Sequence, residues 1–284
     1  MNRHPHARPL AAAFATLALA ALCACGGGDG NYTQGGGSTV DGKLYCAGRV
    51  ACVESDTLAT ANLHARMYVV SDGQHAQAQA GFLDHDGDNF DVELSGDAAY
   101  VVDGGTRTQL GVPKRSANTL ITDPYIADLA SVPVLARSYQ IQLVRPTGTY
   151  TSTVTMPPAF AIAAPGAAKF SDDSLAFTLN VDASPDPAVS VETFHCLDTA
   201  GNPRDGNGNQ YADTVQRTGP TSYTFSIALF RQHLDPGQGQ PAIASCPSVQ
   251  INVRTNVQGS VDAALAGDST LIAYQSRSVT FALN

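Results

Sequence analysis

Along most of the chain, apolar and polar residues alternate in short runs instead of repeating at the 3.6-residue period of a helix. The runs are rich in β-branched and aromatic residues and are bounded by Gly, Asp, Asn and Pro. Such alternation is typical of strands that bury one face, so the sequence predicts an all-β protein. The predicted strands are 63–70, 77–83, 90–94, 98–102, 139–144, 150–156, 175–181, 189–197, 223–229, 249–253 and 271–283.

Two short turns predict that neighbouring strands pair as hairpins. Asp103, Gly104 and Gly105 separate two alternating runs, and residues 146–148, Pro-Thr-Gly, separate two others. Adjacent glycines supply the positive φ that tight hairpin turns need, and Pro fits the first inner position of a turn. We therefore expect antiparallel sheets.

A proline-rich segment marks the predicted internal boundary. Pro-Pro at 157–158 is followed by Ala-rich residues and Pro-Gly at 165–166. Proline lacks the N–H that a sheet ladder needs, so this segment interrupts the strands. The chain has no Trp, so the immunoglobulin-like architecture is suggested without membership of that family. The predicted organisation is a β-sandwich at 41–158, a linker at 159–165 and a second antiparallel, immunoglobulin-like β-sandwich at 166–284.

Residues 1–24 have the pattern of an export signal. Arg3 and Arg8 precede an apolar run at 10–22, and no acidic residue lies among them. A helix that crosses a bilayer needs roughly 20 apolar residues, so this run is too short to span.

The tetrapeptide Leu-Cys-Ala-Cys at 22–25 resembles the lipobox of bacterial lipoproteins. The resemblance implies cleavage before Cys25, a diacylglycerol thioether on its sulfur and an acyl chain on its new amine, which together form a strong membrane anchor. The alternative is an ordinary signal peptide and a soluble product. Gly26, in place of Asp, resembles lipoproteins sorted to the outer membrane of Gram-negative bacteria. Residues 25–40 are glycine-rich and predict a flexible tether.

The net charge restricts the partners. The whole chain carries −9, and removal of residues 1–24 leaves 14 basic against 25 acidic residues, a net charge of −11. Such a surface repels nucleic acid and anionic lipid. The expected partners are the membrane, through the lipid anchor, and a protein or carbohydrate ligand.

Four cysteines remain beside the lipidated one. An even number in an exported chain predicts disulfides. Four cysteines allow three pairings, and the proposed domain boundary selects Cys46 with Cys52 and Cys196 with Cys246.

Acidic residues alternate in the sequence DHDGDNFD at 84–91. Asp84, Asp86, Asp88 and Asp91 are candidate calcium ligands, because carboxylates at alternate loop positions can converge on one ion. The EF-hand pattern fails at its sixth and twelfth positions. We favour a turn between two strands, with calcium as the alternative. A second polar loop, 198–213, is a candidate for contact with a partner.

No catalytic constellation is visible. The sequence has no GxSxG motif, and the histidines beyond residue 24 form no HxH or HExxH pair. We interpret the five histidines that follow the signal as surface or structural residues, and we predict no enzymatic activity.

The stretches TGTYTSTVTMPPAF and GDSTLIAYQSRSVTFAL resemble proteobacterial envelope lipoproteins with immunoglobulin-like β-domains. This resemblance implies a fold and a location and lends no catalytic residue. The leading hypothesis is a non-enzymatic envelope protein that acts as a binding or structural module. The alternatives are a calcium-dependent carbohydrate-active or hydrolytic protein and a subunit of an envelope assembly.

Overall fold

The β-rich pattern is realised in a computed structural model that describes residues 52–85, 91–111, 124–182, 186–204, 208–234 and 241–284. In these ranges the chain forms 18 strands and one short α-helix, which confirms the all-β prediction. None of the helices in these ranges is long and apolar enough to cross a membrane.

The strands are numbered in chain order. The N-terminal strands are β1 (Cys52–Glu54), β2 (Leu63–Ser71), β3 (Ala76–Asp84), β4 (Asp91–Glu93), β5 (Ala98–Asp103), β6 (Thr106–Gln109), β7 (Tyr125–Asp128), β8 (Arg137–Arg145) and β9 (Gly148–Met156). The C-terminal strands are β10 (Ile162–Ala163), β11 (Ala167–Ala168), β12 (Ser174–Leu179), β13 (Ala188–Phe194), β14 (Leu197–Asp198), β15 (Val215–Arg217), β16 (Ser222–Ser226), β17 (Ile243–Gln258) and β18 (Thr270–Leu283). Helix α1 is Ile227–Leu234, and 3₁₀ turns are Ser55–Thr57, Thr60–Asn62 and Gly208–Thr214.

These strands form one large sheet and two small ones. The large sheet has the order β1-β4-β3-β2-β18-β17-β13, with β7, β11 and β14 paired to its members. The small sheets have the orders β6-β5-β8-β9 and β10-β12-β16-β15. Pairing is mostly antiparallel, as predicted, but β1 with β4, β2 with β18 and β11 with β18 are parallel. The large sheet is therefore mixed.

Two hydrophobic clusters fill the interior. The first cluster joins buried residues of β2, β3 and β18 in the large sheet to those of β5, β8 and β9 in one small sheet. The second cluster joins β13, β17 and β18 to β12, β16 and helix α1. Each cluster thus lies between the large sheet and one small sheet, which is the arrangement of a β-sandwich.

Strand β18, which forms the last hairpin with β17, contributes to both clusters. Along β18 the buried side chains alternate, with Leu271 and Ala273 in the first cluster and Phe281 and Leu283 in the second. The N-terminal half of β18 pairs with β2, and its whole length pairs with β17. The described residues belong to one compact unit.

Gln275 lies on β18 where its buried face passes from one cluster to the other. Its side chain is fully buried, and its amide Nε2 donates to the carbonyls of Pro133 and Pro157, at 3.1 Å each. Its Oε1 accepts from Arg277 at 3.0 Å. Burial of a side-chain amide costs free energy unless the amide is hydrogen-bonded, so the fold favours keeping these hydrogen bonds. They therefore hold the two proline segments against β18.

The predicted boundaries of most strands lie close to the observed ones. The predicted division into 41–158 and 166–284 stays a prediction, and the structure adds that the last hairpin serves both clusters. The predicted strand 223–229 is wrong in its second half, because helix α1 begins at Ile227. The hydroxyl of Ser226 accepts a hydrogen bond from the amide of Leu229 at 3.2 Å, as helix-capping residues do.

Gly259, directly after β17, allows the hairpin to approach β9 closely. A Cβ at this position would lie 2.5 Å from the carbonyl oxygen of Thr153 and 2.8 Å from Cβ of Val154. The adjacent Ser260 exchanges two backbone hydrogen bonds with Thr153, each 2.8 Å long. The backbone at Gly259 and the backbone of β9 are therefore held so close together that only glycine fits at this position.

We expect Gly259→Ala to destabilise the protein by about 1 to 3 kcal/mol, because the added methyl group must displace backbone. The matched control is Gly267→Ala in the same connection, where an added Cβ meets nothing within 4 Å. Chemical denaturation of both variants measures the difference. Equal stability of the two variants would contradict the close approach.

Candidate functional site

The predicted disulfide between Cys196 and Cys246 is present, with 4.0 Å between the two Cα atoms. It ties the turn after β13 to β17, and both cysteines are fully buried in the second cluster. On the chain-entropy model, a bridge that closes 50 residues stabilises the fold by about 4 kcal/mol. Cys52 is also disulfide-bonded, whereas its predicted partner Cys46 and the predicted lipid site Cys25 lie outside the described residues.

The structure places only part of the predicted calcium loop. Asp84 ends β3 and is nearly buried, and Asp91 begins β4. Asp86 and Asp88 lie outside the described residues. The calcium site therefore stays a prediction.

Two histidines and one aspartate meet beside this loop. His64 lies near the start of β2, His85 directly follows β3, and Asp268 lies in the turn that leads into β18. Because β2 pairs with β3 in register, with Leu63 opposite Asp84, the two histidines come to the same end of the hairpin.

Backbone contacts hold the three segments in place. The amide of His85 donates to the carbonyl of Asn62 at 2.8 Å, one step beyond the end of β3. The amide of Ala266 donates to Leu63 at 3.0 Å, and the hydroxyl of Ser269 accepts from the amide of Ala65 at 2.9 Å. The turn that carries Asp268 is thereby docked on the start of β2.

The Asp268 carboxylate bridges the two imidazole rings. Its Oδ2 lies 2.6 Å from Nδ1 of His64, and its Oδ1 lies 3.3 Å from Nδ1 of His85. Nε of Arg66 donates to Nε2 of His64 at 3.3 Å. Since Nε2 of His64 accepts this bond, Nδ1 carries the proton that faces the carboxylate.

Electrostatics favour the ionised form of Asp268. Burial acts to raise the pKa of Asp268, but the hydrogen bond from His64 and the charge that His64 and His85 can carry outweigh it. The pKa of Asp268 consequently lies below its ordinary value. We name these three residues, His64, His85 and Asp268, the His-His-Asp cluster.

No local sequence pattern marks this cluster. Its aspartate is 204 residues from His64, and the histidines are on different strands, so no local spacing marks them. His64 and His85, predicted as surface or structural residues, both face the carboxylate of Asp268. Only the pairing of β2 with β3 and the docking of the last turn bring the groups together.

The hydrogen bonds around His64 leave it no role as a base for a serine. One ring nitrogen faces Asp268 and the other faces Arg66. The hydroxyl of neighbouring Ser269 bonds to the backbone of Ala65 and Leu63. A nucleophile needs a base within hydrogen-bond reach, and these bonds occupy both groups.

A cavity of about 410 Å³ lies next to the first cluster, and its lining includes Glu54, Asp97 and Tyr125. Asp97 is fully buried and forms an ion pair with Nε of Arg145 at 3.0 Å. Arg145 also donates to the carbonyls of Ser55 and Leu58, at 2.5 Å and 2.8 Å. This charge pair supports the fold and selects no ligand for the cavity.

Part of the second polar loop is fixed by a buried carboxylate. Asp198 accepts hydrogen bonds from the amides of Ala200 and Asn202, at 2.9 Å and 2.8 Å, and pairs with Nε of Arg204 at 3.3 Å. The amide of Asn202 is the main cause that lowers the pKa of Asp198. The loop is thereby built around a charge-assisted turn.

Comparison with known proteins gives no family. No family model and no curated protein matches the chain. Solved structures that resemble it include the FN1–FN3 domains of chicken CNTN1 (8% identity, TM-score 0.25, 80% of this chain and 64% of that chain). Others are the BSP domain of a biofilm associated protein (8%, 0.21, 77% and 29%) and extracellular domains 3–5 of Drosophila OTK (12%, 0.17, 76% and 64%). The chain spans less than two thirds of the length of each, and the fold assignment rests on the sheets themselves.

We expect Asp198→Asn to lower the melting temperature at neutral pH, because the turn loses its charge-assisted acceptor. The pKa of Asp198 is lowered in the folded state, so its stabilisation is complete above the ordinary value of 3.8 and is lost as pH falls through the folded value. Melting curves of both proteins should therefore converge in acid. A constant difference across that range would contradict the role of the carboxylate charge.

Proposed function

We propose that this chain is a non-enzymatic, lipid-anchored envelope protein that acts as a binding or structural module. The observation that carries the proposal is a disulfide-braced scaffold in which one hairpin completes both hydrophobic clusters. Such a scaffold suits the presentation of fixed surface loops to a partner, because loops on a rigid framework lose little entropy on binding.

Export and anchoring are supported by the chemistry of cysteine. Disulfides persist in oxidising compartments, and the structure contains a fully buried one between Cys196 and Cys246. The resemblance of residues 22–25 to a lipobox supports a lipid anchor on Cys25, and Gly26 supports sorting to the outer membrane. The glycine-rich tether at 25–40 would give the folded part freedom to reach a partner.

The turn around the disulfide is the best candidate for the binding surface. Phe194 and Leu197 lie on either side of Cys196, and these residues are 41% and 37% exposed. His195 between them has a φ of 60°, in the left-handed region that L-residues rarely adopt. The disulfide and the Asp198 turn hold these side chains outward, so an apolar patch is displayed at small entropic cost.

Both ring nitrogens of His64 are hydrogen-bonded, which supports a role other than that of a base for a serine nucleophile. The acidic balance of the chain, −9 before processing, argues for a protein or carbohydrate ligand and against nucleic acid. The membrane is contacted through the acyl chains, while the folded part faces an aqueous compartment.

We expect the native protein, extracted from membranes, to begin at Cys25 and to carry a diacylglycerol and one further acyl chain. Mass spectrometry of the intact chain and of its N-terminal peptide measures this. Cys25→Ser should abolish the acyl mass, whereas the matched control Cys23→Ser should retain it, because Leu22 and not a small residue precedes Cys23. An unmodified N-terminus in the native protein would refute the proposed anchor.

A further inference from the structure

We propose that the His-His-Asp cluster binds a divalent transition metal of the zinc class. Its three residues come from distant parts of the chain and present one donor atom each, and these atoms all lie within 4.8 Å of one another. This inference is independent of the lipid anchor, because the cluster lies entirely in the folded part.

One pair of donors already has the spacing of tetrahedral coordination. Ligands about 2.0 to 2.1 Å from a zinc ion lie about 3.3 Å apart in a tetrahedron. Nδ1 of His85 and Oδ1 of Asp268 are 3.3 Å apart. The 2.6 Å contact between Nδ1 of His64 and Oδ2 of Asp268 is a hydrogen bond, and a metal ion would replace its proton.

The chemical types of the donor atoms indicate which metal the cluster would bind. Two imidazoles and a carboxylate are ligands of zinc and its neighbours, while calcium takes six to eight oxygen ligands and does not favour nitrogen. The cluster is therefore chemically distinct from the predicted calcium loop. Three protein ligands leave a fourth position for water or for an atom of a partner.

The three ligands of the cluster differ in burial, with one side chain buried and two exposed to solvent. The side chain of His64 is 9% exposed and held by its neighbours, while those of His85 and Asp268 are 46% and 49% exposed. One ligand is thus preorganised, and the other two lie on the surface, where an ion can enter and the carboxylate can shift to accommodate it.

Arg66 competes with the metal. Its donation to Nε2 of His64 favours the tautomer that carries the proton on Nδ1. Coordination through Nδ1 requires the other tautomer, in which the proton moves to Nε2 and ends the bond from Arg66. The ring remains neutral, and the exposed Arg66 side chain is free to turn into solvent. Arg66 consequently weakens binding both by this bond and by its positive charge.

The test is calorimetric titration of zinc into the full chain, purified in detergent and freed of metal with a chelator. We expect one zinc ion per chain that depends on the cluster, with affinity lowered at least 100-fold in His85→Ala. Loss of an outer-shell partner alone costs about 10- to 100-fold, and loss of a direct ligand costs more. The matched control is His75→Ala, which removes an exposed histidine that pairs with Asp72 and, among the described residues, belongs to no cluster of three such donors.

Two further measurements keep the result clear of folding effects. Cobalt(II) in place of zinc should give the visible absorption of a tetrahedral ion with nitrogen ligands, and Asp268→Asn should weaken that spectrum. Arg66→Met should tighten zinc binding. The proposal is overturned if no zinc binds, if binding survives both His85→Ala and Asp268→Asn, or if His75→Ala abolishes it equally.

Discussion

The structure depends on one strand, β18, whose alternating buried side chains belong first to one hydrophobic cluster and then to the other. Alternate residues from Leu271 to Gln275 are buried, and so are Phe281 and Leu283, with half-buried and exposed residues between them. One continuous strand therefore supplies both interiors. Strand β17 pairs with β18 to complete the hairpin, and its own buried residues belong to the second cluster. The buried amide of Gln275 marks the change of cluster and binds the two proline segments that pass over it. Neither cluster is complete without this hairpin, and the disulfide from Cys246 secures its start.

Most strands could be predicted from local sequence patterns, whereas the pairing of strands far apart in the chain could not. Alternation and turn residues locate β2, β3, β8 and β9 because one buried face and a Gly or Pro turn are encoded within a few residues. The parallel pairing of β18 with β2 joins segments about 200 residues apart, and alternation says nothing of which strand lies beside which. Helix α1 escaped prediction because its eight residues follow an alternating run without a break, and only the Ser226 cap and the burial of Phe230 redirect the backbone.

Of the candidate sites, one could be predicted from the sequence and one could not. The pairing of Cys196 with Cys246 followed from an even cysteine count and a proposed boundary, and the structure confirms it. The His-His-Asp cluster had no sequence signal, because its spacing is created by the β2–β3 register and by a turn docked through Ser269. The two proposals together describe an exported scaffold with an apolar turn at the disulfide and a metal-binding cluster in the first sandwich. Both proposed sites, the turn at the disulfide and the His-His-Asp cluster, are attached to strands of the large sheet. The same rigid framework would therefore support binding at each of them.

Hydrogen exchange of the full chain at increasing denaturant, read by mass spectrometry, tests the shared strand β18 most directly. If β18 completes both clusters, the amides of β8 and β9 and those of β12 and β16 should lose protection together in one cooperative step. Loss of protection in β12 and β16 at a clearly lower denaturant concentration, while β2, β3 and β8 stay protected, would show two independent units and contradict the account.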